Sequence, residues 1–306
     1  MSDSPMGEKL APATTTDEDA RTVTDGLSSA GTDLRSAPVD APAGDPWRDV
    51  AWQLLRTSPM SGVDNMALDL TLLDAAIAAP APVWTLRLYA WSRPTLSFGR
   101  NETARRFFTA DALAEQGVDA IRRPTGGRAL LHWREVTYSL TGALPLDAPW
   151  RPVYDDINAT LVDALQALGV PAELAVTPAG DARGRACFDR PSPGEVTVGG
   201  QKLVGSAVWR RAHGFLQHGS ILLDDDQTRI PALANGTMPP VPPPATLRSL
   251  LATAPSTAAV EERIIDALAA RRGAPAAIPD AMATMADPRF AEHRAVLSDP
   301  AWTWRS

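Results

Sequence analysis

One cysteine, Cys187, stands in the 306-residue chain. No disulfide can form within it, which fits a reducing, cytoplasmic setting. No run of about 18 consecutive apolar residues occurs, so no membrane span is expected. A basic start followed by an apolar stretch is also missing, and with it any expectation of a secretory signal. Residues 1–45 hold no aromatic side chain and are rich in Thr, Ser, Asp, Ala, Gly and Pro. Such a segment buries too little apolar surface to offset its ordering entropy, and reads as a disordered acidic tail. Positive charge is scarce as well. The formal net charge is −7, and the tail supplies most of it with nine acids against three bases. The nearly neutral remainder excludes an electrostatic nucleic-acid binder.

What is present suffices for one large globular domain with a small appendage, at 44% hydrophobic residues. Order is expected from Trp47–Leu55 onward. Met66, Leu70, Leu73 and Ile77 recur at helical spacing, and Pro80 and Pro82 close that segment. Trp84–Trp91 and Thr95–Phe98 read as strands around Arg93-Pro94. Thr103–Gln116 reads as a helix stopped by Gly117. Val118–Arg122, Ala129–His132 and Val136–Leu140 read as strands. Pro152–Leu168 is a second long helix, with Val153, Ile157, Leu161 and Leu165 on one face and Gly169 beyond its end. Glu195–Val198, Lys202–Arg210 and Gly214–Leu223 read as antiparallel strands. A proline linker, Met238–Pro244, precedes helices at Thr246–Leu251 and Ser256–Arg272. This mixture predicts an α+β fold with a mixed, largely antiparallel sheet. Three regions are expected: the tail at 1–45, a main domain at 46–238, and the linker with a short helical C-terminal extension at 239–306.

Three segments carry chemistry. In Arg122-Arg123-Pro124-Thr125-Gly126-Gly127-Arg128, paired glycines after a proline mark a tight turn whose backbone N–H groups can be left pointing outward. Beside arginines, that concavity suits an anionic or acyl-carbonyl ligand; a plain hairpin with solvated arginines is the competing reading. Cys187 sits among Arg183, Arg185 and Arg190, which favour a thiolate, although a lone cysteine is more often a small buried hydrophobe. Lys202 follows Gly199-Gly200 and opens an apolar strand. It is either an exposed strand-end lysine or an inward-facing amine.

The ordered set of Leu86–Arg100, Arg122–His132, and Gly200–Ala207 with His218–Leu223 resembles the lipoate–protein ligase and octanoyltransferase family. The middle block matches its RRxxGG(G/R)xxxH signature, and the likeness extends over roughly residues 47–306. The resemblance implies a central mixed sheet flanked by helices, shared with biotin protein ligases. The segment from Cys187 to Ser192 looks like the acyl-carrying cysteine loop of the octanoyltransferase branch. Arg128, where ligases carry a third glycine, points the same way, while Asn101-Glu102 departs from the family's usual glutamine.

By that resemblance Cys187 is the nucleophile and Lys202 meets the acyl carbonyl. Gly126 and Gly127 supply oxyanion donors. Arg122 and Arg123 orient the thioester or the carrier's phosphopantetheine arm, although strand alternation favours a purely structural role for one of the two, and Arg128 is counted among the substrate-binding residues. His132 and His218 are pocket partners, equally readable as satisfied structural histidines. Gly205, Ser206 and Ala207 leave room for an acyl chain or pack a tight hairpin. The implied donor is acyl carrier protein, and the acceptors are lipoyl domains of the glycine-cleavage H protein and 2-oxoacid dehydrogenase E2. A monomer without metal or cofactor is expected. The alternatives are an ATP-dependent lipoate–protein ligase (using ATP and Mg), an amidotransferase between lipoyl domains, and a non-catalytic lipoyl-domain binder.

Overall fold

The computed structural model describes residues 50–176, 188, 191–277 and 279–305. The 1–45 tail and the segment bearing Cys187 and its flanking Arg183, Arg185 and Arg190 lie outside the described residues. In chain order the strands are β1 (Ala51–Arg56), β2 (Val83–Tyr89), β3 (Thr95–Phe98), β4 (Asp119–Arg122), β5 (Leu130–His132), β6 (Glu135–Ala143), β7 (Glu173–Leu174), β8 (Val196–Val198), β9 (Gln201–Lys202), β10 (Val204–Arg211) and β11 (Gly214–Leu222). The helices begin with α1 (Gly62–Ala78), α2 (Ala110–Glu115), α3 (Arg151–Gln166), α4 (Ile230–Leu233), α5 (Leu247–Leu250) and α6 (Thr257–Arg272). Three more follow: α7 (Ala281–Met285), α8 (Pro288–Ser298) and α9 (Pro300–Thr303).

The fold is α+β, with mixed sheets flanked by helices, but the strands form three sheets rather than one. The largest runs β1-β2-β6-β11-β10, parallel between β1 and β2 and antiparallel elsewhere. A second runs β4-β3-β5, and a third β7-β8-β9. The chain turns a corner at Leu203. Lys202 pairs with Thr197 in the third sheet, while Val204 pairs with Ile221 in the first. The single strand expected over Lys202–Arg210 is therefore two.

Strand alternation sends successive side chains to opposite faces. One face of the large sheet presents Leu86, Leu88, Val136, Leu140 and Ile221 to α3 and α6, whose Ile157, Leu161, Ile264 and Leu268 complete the main core. Helix α1 covers the other face, capped by Ser61, whose side chain accepts from the Asp64 N–H. The helix expected over Thr103–Gln116 is interrupted. A short turn at Ala104–Arg106 ends first, and Thr109, extended and accepting from the Ala112 N–H, caps α2 anew. Among the described residues no helix is long and apolar enough to cross a membrane.

Candidate active site

The face of the large sheet beneath α1 is buried yet polar. Arg87 of β2 and Asp69 of α1 are both fully buried and meet at 2.7 Å. Arg87 also donates to the Asn65 side chain at 2.6 Å and to Thr57 at 3.1 Å. Asp69 accepts from Ser139 at 2.7 Å and from Tyr89 at 3.2 Å. Burial alone would raise the Asp69 carboxyl, but Arg87 and His218 more than offset it and hold it below the usual carboxylate range. His218 Nδ1 lies 3.6 Å from Asp69, and its Nε2 lies 2.6 Å from the Thr125 hydroxyl in the Gly-Gly turn. Burial lowers its pKa more than Asp69 raises it.

A cavity opens on this face beside α1. Its walls include Met66, Trp91, Ser97, Arg123, His132 and Ser220, with Gly205, Ala207 and His218 alongside. Its free volume is about 20 Å³, room for little more than one water molecule. A larger occupant enters only if lining side chains move, and Met66, unbranched and soft, is suited to give way. Gly205 and Ala207 face the cavity from β10. The intervening Ser206 turns its hydroxyl to the opposite face, 2.8 Å from the Tyr138 hydroxyl and 3.2 Å from the Asn158 carbonyl oxygen.

Arg123, Ser97, His132 and Glu135 form a chain along the cavity wall. Arg123 donates to Ser97 Oγ at 2.9 Å, and Ser97 Oγ lies 2.8 Å from His132 Nε2. The Glu135 carboxylate only accepts, so Nδ1 donates to it at 2.7 Å, and Nε2 is left to accept from the Ser97 hydroxyl, which itself accepts from Arg123. The Trp91 ring stacks on the imidazole at 4.0 Å. One carboxylate oxygen of Glu135 gathers Trp91, Thr137 and Ser220 as further donors. The other has no hydrogen-bond partner among the described residues.

The neighbouring arginines part company. Arg123 is wrapped by the Gly-Gly turn, donating to the carbonyls of Gly126 and Arg128 at 3.0 and 2.8 Å. Gly126 and Gly127 are exposed, and among the described residues their N–H groups have no hydrogen-bond partner. Gly127 has φ +99°, and a Cβ there would meet the Arg123 guanidinium at 2.6 Å. A Cβ on Gly99 would meet the Gly127 carbonyl at 2.0 Å, so the two loops touch backbone to backbone. Arg122, one residue earlier on β4, does not line the cavity. Its guanidinium donates to the carbonyls of Gly99 and Glu102 at 2.7 Å, and to those of Trp302, Thr303 and Arg305 at 3.1 Å. Strand alternation separates the two side chains, and Arg122 ties down the C-terminal segment. Arg128 is exposed beside the turn.

Lys202 is buried and donates to Glu195 at 2.8 Å across the β8–β9 hairpin. Gly199 and Gly200, at φ +55° and +77°, make its two-residue turn. The other Glu195 oxygen accepts from the Ser192 N–H at 2.6 Å. Phe188, the residue bonded to Cys187, packs against Leu130 and Leu222. Lys202 Nζ lies 5.2 Å from the centre of its ring.

The geometry thus brings Arg123, His132, Gly205, Ser206, Ala207 and His218 to one cavity, although the Ser206 hydroxyl points away from it, and leaves Arg122 outside. Sequence reasoning missed Asp69, Arg87, Ser97, Glu135 and Glu195. The last was reachable: a two-residue Gly-Gly hairpin pairs Thr197 with Lys202 and sets Glu195 on the same face. Among the described residues no cluster of three or more His, Cys, Asp or Glu is arranged to hold a metal ion.

Comparison with known proteins converges on this region. The lipoyl protein ligase A/B catalytic domain matches residues 61–269. The octanoyltransferase LipM of Kyrpidia tusciae is 44% identical over 187 residues, 57% of this chain and 67% of that protein. LipM of Carboxydothermus hydrogenoformans is 39% identical over 183 residues, 58% and 67% of the two. The solved structure of a bipartite lipoate protein ligase and its E2 lipoyl domain from Thermoplasma acidophilum shares the fold. Its TM-score is 0.63 at 17% identity, over 83% of this chain and 96% of that one. With the cavity, the Gly-Gly turn and the Lys202 hairpin all inside the matched residues, the chain belongs to the family of lipoyl protein ligase A/B catalytic domains.

Proposed function

We propose that this acyltransferase moves an octanoyl group from the thioester of an acyl carrier protein to a lysine of a lipoyl domain, through a thioester on Cys187. The observation that carries the reading is the seat of Phe188. The residue next to Cys187 in the chain rests on Leu130, which lines the cavity, and beside the Lys202 ammonium. Likeness to two LipM octanoyltransferases supports the octanoyl group.

The reaction balances without a nucleotide. The Cys187 thiolate attacks the donor carbonyl, a new C–S bond forms, and the carrier's thiolate leaves. One thioester replaces another, so this step is nearly neutral in energy. The acceptor amine then attacks the octanoyl-Cys187 carbonyl. The C–N bond forms, the C–S bond breaks, and the Cys187 thiolate is released. Amide formation makes this step downhill. The amine must also shed a proton, and the Ser97–His132–Glu135 chain offers an acceptor at His132 Nε2. Both tetrahedral intermediates carry an oxyanion. The Gly126 and Gly127 N–H groups and the Lys202 ammonium, held in place by Glu195, are donors suited to it. No cofactor is required.

Cys187→Ala is expected to abolish transfer. Wild-type protein mixed with octanoyl carrier protein should accumulate a hydroxylamine-labile octanoyl adduct that the variant lacks. Full activity of the alanine variant would remove the reading.

A further inference from the structure

A second concavity lies beside the Gly-Gly turn. Arg100, Asn101, Glu102, Arg122 and Arg305 line an open depression of about 430 Å³. Its charge is unbalanced. Arg122 spends its N–H groups on backbone carbonyls and meets no carboxylate. Arg305 donates to the Arg100 carbonyl at 2.5 Å, and its guanidinium lies 4.0 Å over the Trp302 ring. The Arg100 guanidinium lies 5.2 Å over Trp209. Among the described residues no carboxylate forms a salt bridge with any of the three. Glu102 is the one acid in the wall, and both of its oxygens are committed to backbone N–H groups, of Gly99 at 3.1 Å and Ala129 at 3.0 Å. The arginines oppose one another: burial first, and then the adjacent guanidinium, lowers the pKa of both Arg122 and Arg305, and the nearby Glu102 carboxylate offsets this only in part at Arg122.

Contacts of Arg100 relate the depression to the residues around the cavity. Trp209 follows Gly205 and Ala207 on the cavity-facing side of β10, and packs in the same cluster as Met66, Tyr89 and Trp91. Arg100, which lines the depression, thus rests on a ring that packs against cavity-wall residues. Its N–H also donates to the Thr125 carbonyl at 2.8 Å, and Thr125 in turn contacts His218.

We propose that Arg100, Arg122 and Arg305 form a binding site for the phosphate of the acyl donor's pantetheine arm, seated beside the Gly-Gly turn. Guanidinium groups match phosphate oxygens in geometry and charge. Arg100 and Arg305 are placed to donate directly, and Arg122 contributes its field from beneath. The proposal rests on the octanoyltransferase reading for the identity of the donor, and a phosphate is the chemistry the residues themselves select.

The test compares octanoyl-4′-phosphopantetheine with octanoyl-pantetheine, which lacks the phosphate, as donors to a lipoyl domain. Wild-type kcat/KM should favour the phosphorylated donor by about ten- to a hundredfold, the range of charge-assisted hydrogen bonds. Arg305→Ala and Arg100→Gln should collapse that ratio toward one, and Arg305→Lys should keep most of it. Intrinsic tryptophan fluorescence should change on binding of unacylated 4′-phosphopantetheine, since Trp209 and Trp302 lie under Arg100 and Arg305, and that binding should weaken in the same variants. An equal wild-type ratio, or equal binding of pantetheine and phosphopantetheine, overturns the site. So does a variant defect seen only with the intact carrier protein, since that would mark a protein surface, or only with ATP and free octanoate. If neither thioester donor is turned over while phosphopantetheine still binds in an Arg305-dependent way, the octanoyltransferase reading fails and the phosphate site stands.

Discussion

The two faces of the five-stranded sheet are buried by opposite chemistries. Under α3 and α6, Leu86, Leu140, Leu161 and Ile264 make a continuous apolar core. Under α1, Arg87, Asp69, Ser139, His218 and Ser220 make a buried polar lattice that borders the cavity. Apolar burial stabilises by area and tolerates imprecision. A buried ion pair gives little net stability but fixes the geometry around it, provided its groups find partners. One face holds the molecule together, and the other holds the polar groups that border the cavity at set distances.

The largest way to break this contrast is Asp69→Ala. It strands the Arg87 guanidinium in the interior, and should cost about 3–5 kcal/mol in chemical denaturation. The double change Asp69→Leu with Arg87→Met should regain much of that stability and none of the transferase activity. On the other face Leu161→Ala should cost about 3 kcal/mol, with turnover per folded molecule unchanged in an active-fraction assay. If both faces lose stability and activity in step, the division of labour is wrong.

Gly99→Ala sharpens the contrast at the turn. Its Cβ would meet the Gly127 carbonyl at 2.0 Å, so backbone must shift. A stability loss of about 1–3 kcal/mol is expected, and transfer should fall at least tenfold, since the turn would leave its place over Arg123. Wild-type rates in this variant would show that the turn has no part in catalysis.

The smallest effect is in pH. Burial depresses His218 in the folded state, so unfolding takes up a proton below the ordinary histidine value of about 6.5. Its contribution is complete above that pH and lost as pH falls toward the lowered folded value. His293, also depressed by burial, adds in the same direction. Asp69, depressed by Arg87 against burial, adds a second loss below about 3.9. Melting temperature should decline between pH 7 and 5, less steeply in His218→Gln. A flat profile there would contradict the assignment.

The apolar face was the legible one. Periodicity marks α3 and α6, and alternation marks β2, β6 and β11, because burial against a core repeats with the element; the apolar stripe of α1 was legible in the same way, although that helix covers the polar face. The polar face was half legible. The motif led to Arg123, Gly127, His132 and His218, but its paired arginines look alike, and only strand alternation within β4 sends Arg122 to the C-terminal carbonyls. Asp69, Arg87, Ser97 and Glu135 came from four separate elements and have no common spacing, so their assembly is a tertiary fact. Lys202 left a trace of another kind. It and Lys9 are the lysines of a chain with 29 basic residues. An ammonium standing where arginine is otherwise used signals a compact charge at that position.

The central claim is tested most directly by mass spectrometry of a lipoyl domain after mixing with the protein and octanoyl carrier protein, with no ATP present. The account predicts that the acceptor gains the mass of one octanoyl group on its lysine, and that Cys187→Ala yields none. An acceptor left unmodified until ATP and a free acid are supplied would contradict it.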